Sequence, residues 1–195
     1  GMWKANSLSY ERYNLRSNIT AKLSDYLTTE FQIGGFYDYK DAPAYYPSEI
    51  LNAVGSQVPI YEVYANGNPD YIGYQYNDDK NALIKSSQKY AGYRRTKNFQ
   101  VQVSASIRWD IPWVKGLYAK ALVAYDPRYH TDKMLKKQFS TYKYDPASQA
   151  YNIVTTSSLS SVTEWRSETA TPTTQLSLNY ETSIKNQHNL KALLL

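Results

Sequence analysis

The sequence predicts an all-β fold, an antiparallel meander of about six long strands. Three observations predict it. Apolar and polar residues alternate with a period of two in several separate segments. These segments are joined by short turns and long loops in strict rotation. Leucine and alanine are too sparse for a helical bundle, whereas 21 of the 195 residues are Tyr and only 4 are Phe. Tyr-rich, Phe-poor usage suits surfaces that are half apolar and half wet.

The first strand, near 10–23, alternates Tyr13, Leu15, Ser17, Ile19, Ala21 and Leu23 with Asn14, Arg16, Asn18, Thr20 and Lys22. A turn at Ser24-Asp25-Tyr26 leads into the second, near 27–38, with Leu27, Thr29, Phe31, Ile33, Gly35 and Tyr37 on one side. The third, near 97–110, is the clearest: Phe99, Val101, Val103, Ala105, Ile107 and Trp109 against Asn98, Gln100, Gln102, Ser104, Ser106 and Arg108. Pro112 cannot donate to a ladder and ends it. The fourth, near 116–126, carries Leu117, Ala119, Ala121, Val123 and Tyr125 on one face. A fifth, near 168–184, sets Leu176 and Leu178 against Gln175, Ser177 and Asn179, and a start at Trp165 is also compatible. After a turn over Lys185–Asn189 a sixth runs over 189–195.

The connections add topology. Strands one and two, three and four, and five and six are about three to seven residues apart, whereas the intervening loops, 39–96 and 127–166, are long. Successive antiparallel strands send their connections to opposite ends of a sheet, so the short turns share one end and the long loops the other. That is the layout of an outer-membrane β-barrel, and strands of about ten residues suit a tilted bilayer crossing. The expected lipid face holds Leu15, Ile19, Phe31, Ile33, Val101, Val103, Ile107, Leu117, Val123, Leu176 and Leu178. The competing architecture is a soluble sandwich, which needs a second apolar layer. The loops are poor material for it, with Pro43, Pro47, Pro59 and Pro69 and no steady apolar face beyond a short strand at Ile60–Tyr64 and a short helix at Asp79–Lys89. A mean hydropathy of −0.62 is compatible with a barrel, because alternate residues of barrel strands are polar.

Several function classes drop out. With no cysteine there is no disulfide framework, thiolate metal site or cysteine nucleophile. His130 and His188 are far apart and sit in no nucleophile or zinc pattern, so no catalytic residue, metal or cofactor is expected and the chain reads as no enzyme. The net charge of +5 is modest, and the basic pairs Arg94-Arg95 and Lys136-Lys137 accompany no nucleic-acid motif. Asp41, Asp70, Asp78 and Asp79 match no calcium loop; Asp78-Asp79 reads better as the N-cap of the helix that follows. Tyr61, Tyr64, Tyr71, Tyr74 and Tyr76, with Tyr90 and Tyr93, crowd the first long loop, where flat phenol rings suit a ligand or partner surface as well as loop packing. Trp109, Trp113, Tyr26, Tyr118 and Tyr125 fall near strand ends, where an aromatic girdle is expected. Gly1 ahead of Met2 reads as a cloning remnant, and Ala192-Leu193-Leu194-Leu195 as an interrupted strand, so a piece of a longer chain is expected.

Three stretches resemble SusC/RagA-type TonB-dependent transporters of Bacteroidetes. Tyr10-Glu11-Arg12-Tyr13-Asn14-Leu15-Arg16-Ser17-Asn18 is similar to that family's Y-R-x-N-x-R-S-N strand. Asp110-Ile111-Pro112-Trp113-Val114-Lys115-Gly116-Leu117 is similar to its D-L-P-W-V-K-G-L turn, with Ala119-Lys120 following. Leu178-Asn179-Tyr180-Glu181 and His188-Asn189-Leu190 are similar to its later L-N-Y-E and H-N-V hairpin. The pieces occur in the family's order over nearly the whole chain. The resemblance implies a partial β-barrel, residues 1–195, without a plug domain, from an outer-membrane protein of a Gram-negative bacterium. It further implies import of glycans or peptides, with a SusD-like surface lipoprotein and TonB as partners of the whole protein and membrane lipid around it. The isolated chain is then expected to self-associate. The alternatives are a free-standing secreted β module that binds carbohydrate through its Tyr-rich loops, and an accessory domain of a secreted hydrolase.

Overall fold

The computed structural model describes residues 8–58, 60–76, 81–184 and 188–195. Six strands form one antiparallel sheet in meander order: β1 (Ser9–Lys22), β2 (Leu27–Pro43), β3 (Gly92–Asp110), β4 (Leu117–Lys136), β7 (Ser161–Ile184) and β8 (His188–Leu194). A separate hairpin, β5 (Ser140–Asp145) and β6 (Ala150–Thr156), occupies the second long connection. In β7–β8 the register runs from Leu178 opposite Leu194 to Ile184 opposite His188; residues 185–187 of the expected turn lie outside the described residues.

Most strands continue beyond the alternation that announces them. β2 reaches Pro43, β3 begins at Gly92, β4 runs on to Lys136, and β7 begins at Ser161. The expected loops 39–96 and 127–166 are shorter to that extent. The reason is chemical: a ladder needs only backbone donors and acceptors, so pairing persists where the apolar face stops. Cross-strand polar pairs replace it there. Arg94 on β3 makes two bonds to Asp132 on β4 through Nε, at 3.0 and 2.8 Å, and Arg95 reaches Asp41 on β2 at 3.4 Å.

The chain gathers into two compact units. One holds the described part of residues 1–11 with Tyr39–Lys97 and Thr131–Arg166. The other holds Arg12–Asp38, Asn98–His130 and Ser167–Leu195. In the first unit the long connection folds into α1 (Pro47–Gly55), a 3₁₀ turn at Ala65–Gly67, α2 (Ala82–Ser86) and α3 (Gln88–Ala91). Pro47 at the first helical position and the Glu49 carboxylate, which accepts from the Tyr46 N–H at 2.7 Å, start α1. The expected helix near 79–89 is therefore two short ones, broken at Ser87. Its cap is Asn81, whose Oδ1 accepts from the Leu83 and Ile84 N–H groups at 3.1 and 3.2 Å. Asp78 and Asp79, expected in that role, lie outside the described residues. No strand forms at 60–64; Tyr64 makes a single antiparallel bridge to Ile72.

All the fully buried apolar residues among those described fall between Ala44 and Ala91. Ala44, Ile72, Ile84 and Ala91 form the central cluster, with Tyr45, Tyr90, Met134 and Phe139 packed on it. The second unit has none. Its turn after β3 is set by Gly116, whose φ of +86° is costly for any side chain, and a Cβ there would also strike the Glu181 carbonyl. The Gly116 carbonyl accepts from the Glu181 N–H at 2.8 Å.

Since Ile84 is 1% exposed in the packed cluster of the first unit, Ile84→Ala should cost about 2–5 kcal/mol locally. Hydrogen exchange should show lost protection over residues 81–91 and 134–139, with the amides of 27–38 and 98–110 unchanged. Equal loss in both sets would mean that the cluster is not a local core.

Candidate functional site

The second unit is a sheet with two chemically opposite faces. Leucine, isoleucine and aromatic side chains collect on one of them in three adjoining grooves. The first is walled by Leu27, Ile107, Trp109, Ala121, Leu176 and Leu178. The next has Ile19, Ala21, Phe31, Ala105, Ile107 and Val123, and the third Tyr13, Leu15, Ile33, Tyr37, Phe99 and Val101. None of the expected lipid-facing residues is buried. Leu15, Ile19 and Leu176 are 66%, 58% and 69% exposed; Phe31, Ile107, Val123 and Leu178 are also exposed, and Ile33, Val101, Val103 and Leu117 are half-buried. Apolar contacts along the face are those between neighbouring strands, such as Tyr13 with Tyr37 at 6.5 Å and Phe99 with Tyr129 at 6.0 Å between ring centroids.

The opposite face is a polar ladder. The Asn98 amide donates to Asp38 at 2.7 Å, and its Oδ1 lies 2.5 Å from His130 Nδ1, which links β2, β3 and β4 in one row. Arg128 grips Gln100 through two donors at 3.2 and 2.9 Å. Glu30 takes the Ser106 hydroxyl at 3.4 Å and sits 3.8 Å from Lys120. Arg108 stacks 3.7 Å over the Tyr118 ring. Tyr118 therefore belongs with the polar set, although its place near a strand end suggested a girdle. Trp109 does lie on the apolar face and meets Trp113 edge-on at 6.1 Å.

The first unit carries the Tyr cluster. Backbone bonds dock the segment around Gly73 onto β5: the Tyr142 N–H donates to Ile72 at 2.8 Å and the Tyr74 N–H to Tyr142 at 2.9 Å. A Cβ on Gly73 would run into the Glu62 carbonyl, so glycine is needed for this approach. Tyr71 then stacks on Tyr151 at 3.9 Å and meets Tyr142 edge-on at 5.1 Å. Tyr61 and Tyr74 line a groove together with Glu62, Tyr142, Lys143 and Tyr144, and Lys143 lies 4.8 Å over the Tyr74 ring. Of the five expected tyrosines, Tyr61, Tyr71 and Tyr74 thus join one assembly. Tyr64 is half-buried beside it in the bridge to Ile72, and Tyr76 stands 77% exposed. Sequence reasoning missed Tyr142, Tyr144 and Tyr151, whose alternation Tyr142-Lys143-Tyr144 on a short strand was the available signal.

Asp41 pairs with Arg95 and accepts from Gln88 at 3.1 Å, and Asp70 lies apart from it as an exposed turn residue bonded to Asn68. Among the described residues, no three His, Asp or Glu side chains gather as metal ligands. No protein-family model matches this sequence, and no curated protein matches it. The transporter resemblance therefore rests on the quoted motifs alone.

The β5–β6 turn supplies a titratable lock. The Ser148 hydroxyl at 2.6 Å and the Ala147 N–H at 3.0 Å donate to the Asp145 carboxylate, and these bonds hold its pKa below the ordinary carboxylate value. A depressed folded-state pKa stabilises the turn above the unfolded-state pKa, and that stability is lost as pH falls through the folded value. Exchange of the amides of residues 146–150 should accordingly rise on acidification. Ser148→Ala should move the Asp145 titration, followed by NMR, back toward the ordinary value; an unchanged titration would remove the hydroxyl as its main cause.

Proposed function

We propose that this chain supplies barrel wall, polar lumen lining and outer loops to a TonB-dependent outer-membrane transporter for glycans or peptides. It would work in a Gram-negative outer membrane beside a SusD-like surface lipoprotein, with TonB as the energy-coupling partner. The observation that carries this reading is the uncovered apolar face of a sheet whose other face is hydrogen-bonded and polar. A soluble sheet covers its apolar face with a second layer, whereas a barrel gives it to lipid and keeps the polar face inside.

The dimensions support the same reading. Phe99 and Trp109 are ten residues apart on β3, or about 33 Å along the strand. At a tilt of about 45° that is roughly 23 Å, close to the apolar band of about 25 Å in outer-membrane barrels. Aromatics stand at both ends of this span: Tyr13, Tyr37, Phe99 and Tyr129 at one, Trp109 and Trp113 at the other. That is where interfacial girdles sit.

A second reading, a secreted β module that binds carbohydrate, is favoured by the Tyr-lined groove on a unit with its own core. One measurement separates the two. With Trp3, Trp113 and Trp165 replaced by Phe, Trp109 becomes a sole reporter. The barrel reading expects its emission to shift to the blue in phosphatidylcholine vesicles and to be quenched strongly by brominated acyl chains. It also expects oligomers in detergent-free buffer. A monodisperse monomer whose Trp109 ignores brominated lipid would sink the barrel reading and leave the secreted module.

A further inference from the structure

We infer that a niche on the polar face of the second unit binds a short zwitterionic peptide, with Arg16 taking its carboxylate and Asp126 its ammonium group. This takes from the transporter reading only that the polar face is wetted, and it adds a ligand class for that face.

The polar ladder is self-satisfied at two levels and open between them. On one side, Asn98 joins Asp38 and His130, and Arg128 spends Nε and Nη2 on Gln100. On the other, Glu30 takes the Ser106 hydroxyl and faces Lys120. The bonds of His130 to Asn98 and Arg128 to Gln100 step by two in opposite directions along β4 and β3. The next members of that series are Asp126 and Gln102, and then Ala124 and Ser104. There the internal bonding stops. Arg16, Asn18, Gln32, Gln102, Ser104 and Asp126 line a cavity of about 400 Å³. Among the described residues none of these six side chains makes a hydrogen bond or an ion pair. Six uncommitted polar groups in one hollow, between levels that bond internally, are a set of unused donors and acceptors.

The hollow has a cause. Gly34 stands on the polar side of β2, where Gln32 and Phe36 flank it, and it presents no side chain. A β-carbon there would meet only ordinary contacts, 3.8 Å from the Leu15 carbonyl and 3.9 Å from Arg16 Nε. Arg16 therefore leans from β1 across the Gly34 notch, toward the middle of the niche.

The charges choose the ligand. Of the ionised groups on this pleat, Glu30 faces Lys120, Arg108 holds Asp110, and Glu181 holds Lys191. Arg12 bonds Asn14 and lies 4.2 Å from the centre of the Phe36 ring. What remains in the niche is one cation and one anion, Arg16 and Asp126, on opposite walls. A guanidinium fits a carboxylate with two parallel bonds, and a carboxylate accepts from an ammonium group. From the Gly34 notch on β2 to β4 is two strand spacings, about 10 Å. An extended peptide of two or three residues spans about 7–10 Å, so its end charges reach both walls at once. Its amide groups then lie over Gln32, Gln102 and Ser104, which can donate and accept. Among the described residues no aromatic ring lines the niche, so it lacks the flat apolar platform that suits a sugar ring.

The test uses the full chain in detergent micelles, titrated with trialanine and followed by the NMR shifts of the Gly34 and Ser104 amides. The N-acetyl and C-amide forms of the peptide and the disaccharide maltose are titrated in parallel. Each end charge should supply roughly ten-fold in affinity. Arg16→Gln should lose that factor for trialanine and lose nothing for its C-amide. Asp126→Asn should lose it for trialanine and lose nothing for the N-acetyl form. Gly34→Val, which fills the notch, should abolish binding of all three while circular dichroism stays that of the parent. Lys22→Gln, paired with Asp25 at the end of β1, should bind as the parent does. The proposal is overturned if trialanine moves neither amide, if maltose binds as tightly, or if Arg16→Gln weakens the C-amide as much as the free peptide. The membrane reading fails separately: a chain that binds trialanine while its Trp109 ignores brominated lipid keeps the niche and loses the barrel.

Discussion

A sheet one layer thick can satisfy its backbone by itself but cannot bury its side chains. That constraint governs this molecule. The ladder of β1, β2, β3, β4, β7 and β8 pairs the N–H and C=O groups between neighbouring strands, with β1 and β8 as its two edges, while Leu15, Ile19, Val123 and Leu176 remain open. Water is a poor medium for such a face. Whatever covers it must come from outside the sheet, and the polar ladder of Asp38, Asn98 and His130 on the other side decides which face stays wet. A row of this kind also fixes register, because a one-residue slip would exchange the two faces throughout.

The first unit solves the opposite problem. Its connections are long enough to cost considerable chain entropy unless they pack. They do so around Ile72 and Ile84, with Asn81 closing the helix start and donating to the Gly73 carbonyl at 3.3 Å. Asn81 is 1% exposed yet uses both ends of its amide, so this buried polar group costs little. Tyrosine is the economical residue here: its ring joins a stack, as Tyr71 does with Tyr151, and its hydroxyl can still be hydrogen-bonded, as Asn68 does for Tyr151 at 3.3 Å.

How much of this was legible follows from what a period of two reports. It reports an apolar face, so the strand cores around Leu15, Phe31, Val101 and Val123 and their meander order could be read directly. It reports nothing where both faces are polar. That is why β4 was expected to stop near residue 126 although Arg94 and Asp132 hold it to Lys136. The helices were legible in part. The stretch of α2 and α3 was expected as one helix near 79–89, whereas α1, announced only by Pro47 and Glu49, was not expected. The Tyr assembly was half visible, because its partners Tyr142 and Tyr151 come from a hairpin far away in the sequence. No pattern within one segment reports a contact of that range.

Charge and aromatic content along the strands give the last step. If the face around Leu15 and Leu176 existed only to be covered by protein, its borders would need no particular chemistry. Instead, β3 passes from Val101 through Phe99 to Lys97 and Arg95, and ends on the other side at Trp109 and the turn containing Trp113. An aliphatic middle with aromatic margins follows the polarity gradient of a bilayer from hydrocarbon to interface. A protein interface has a different grading, with aromatics and arginine concentrated at its centre and a mixed polar rim. The order of residue types along β3 is therefore an argument for the proposed lipid cover that does not depend on any motif.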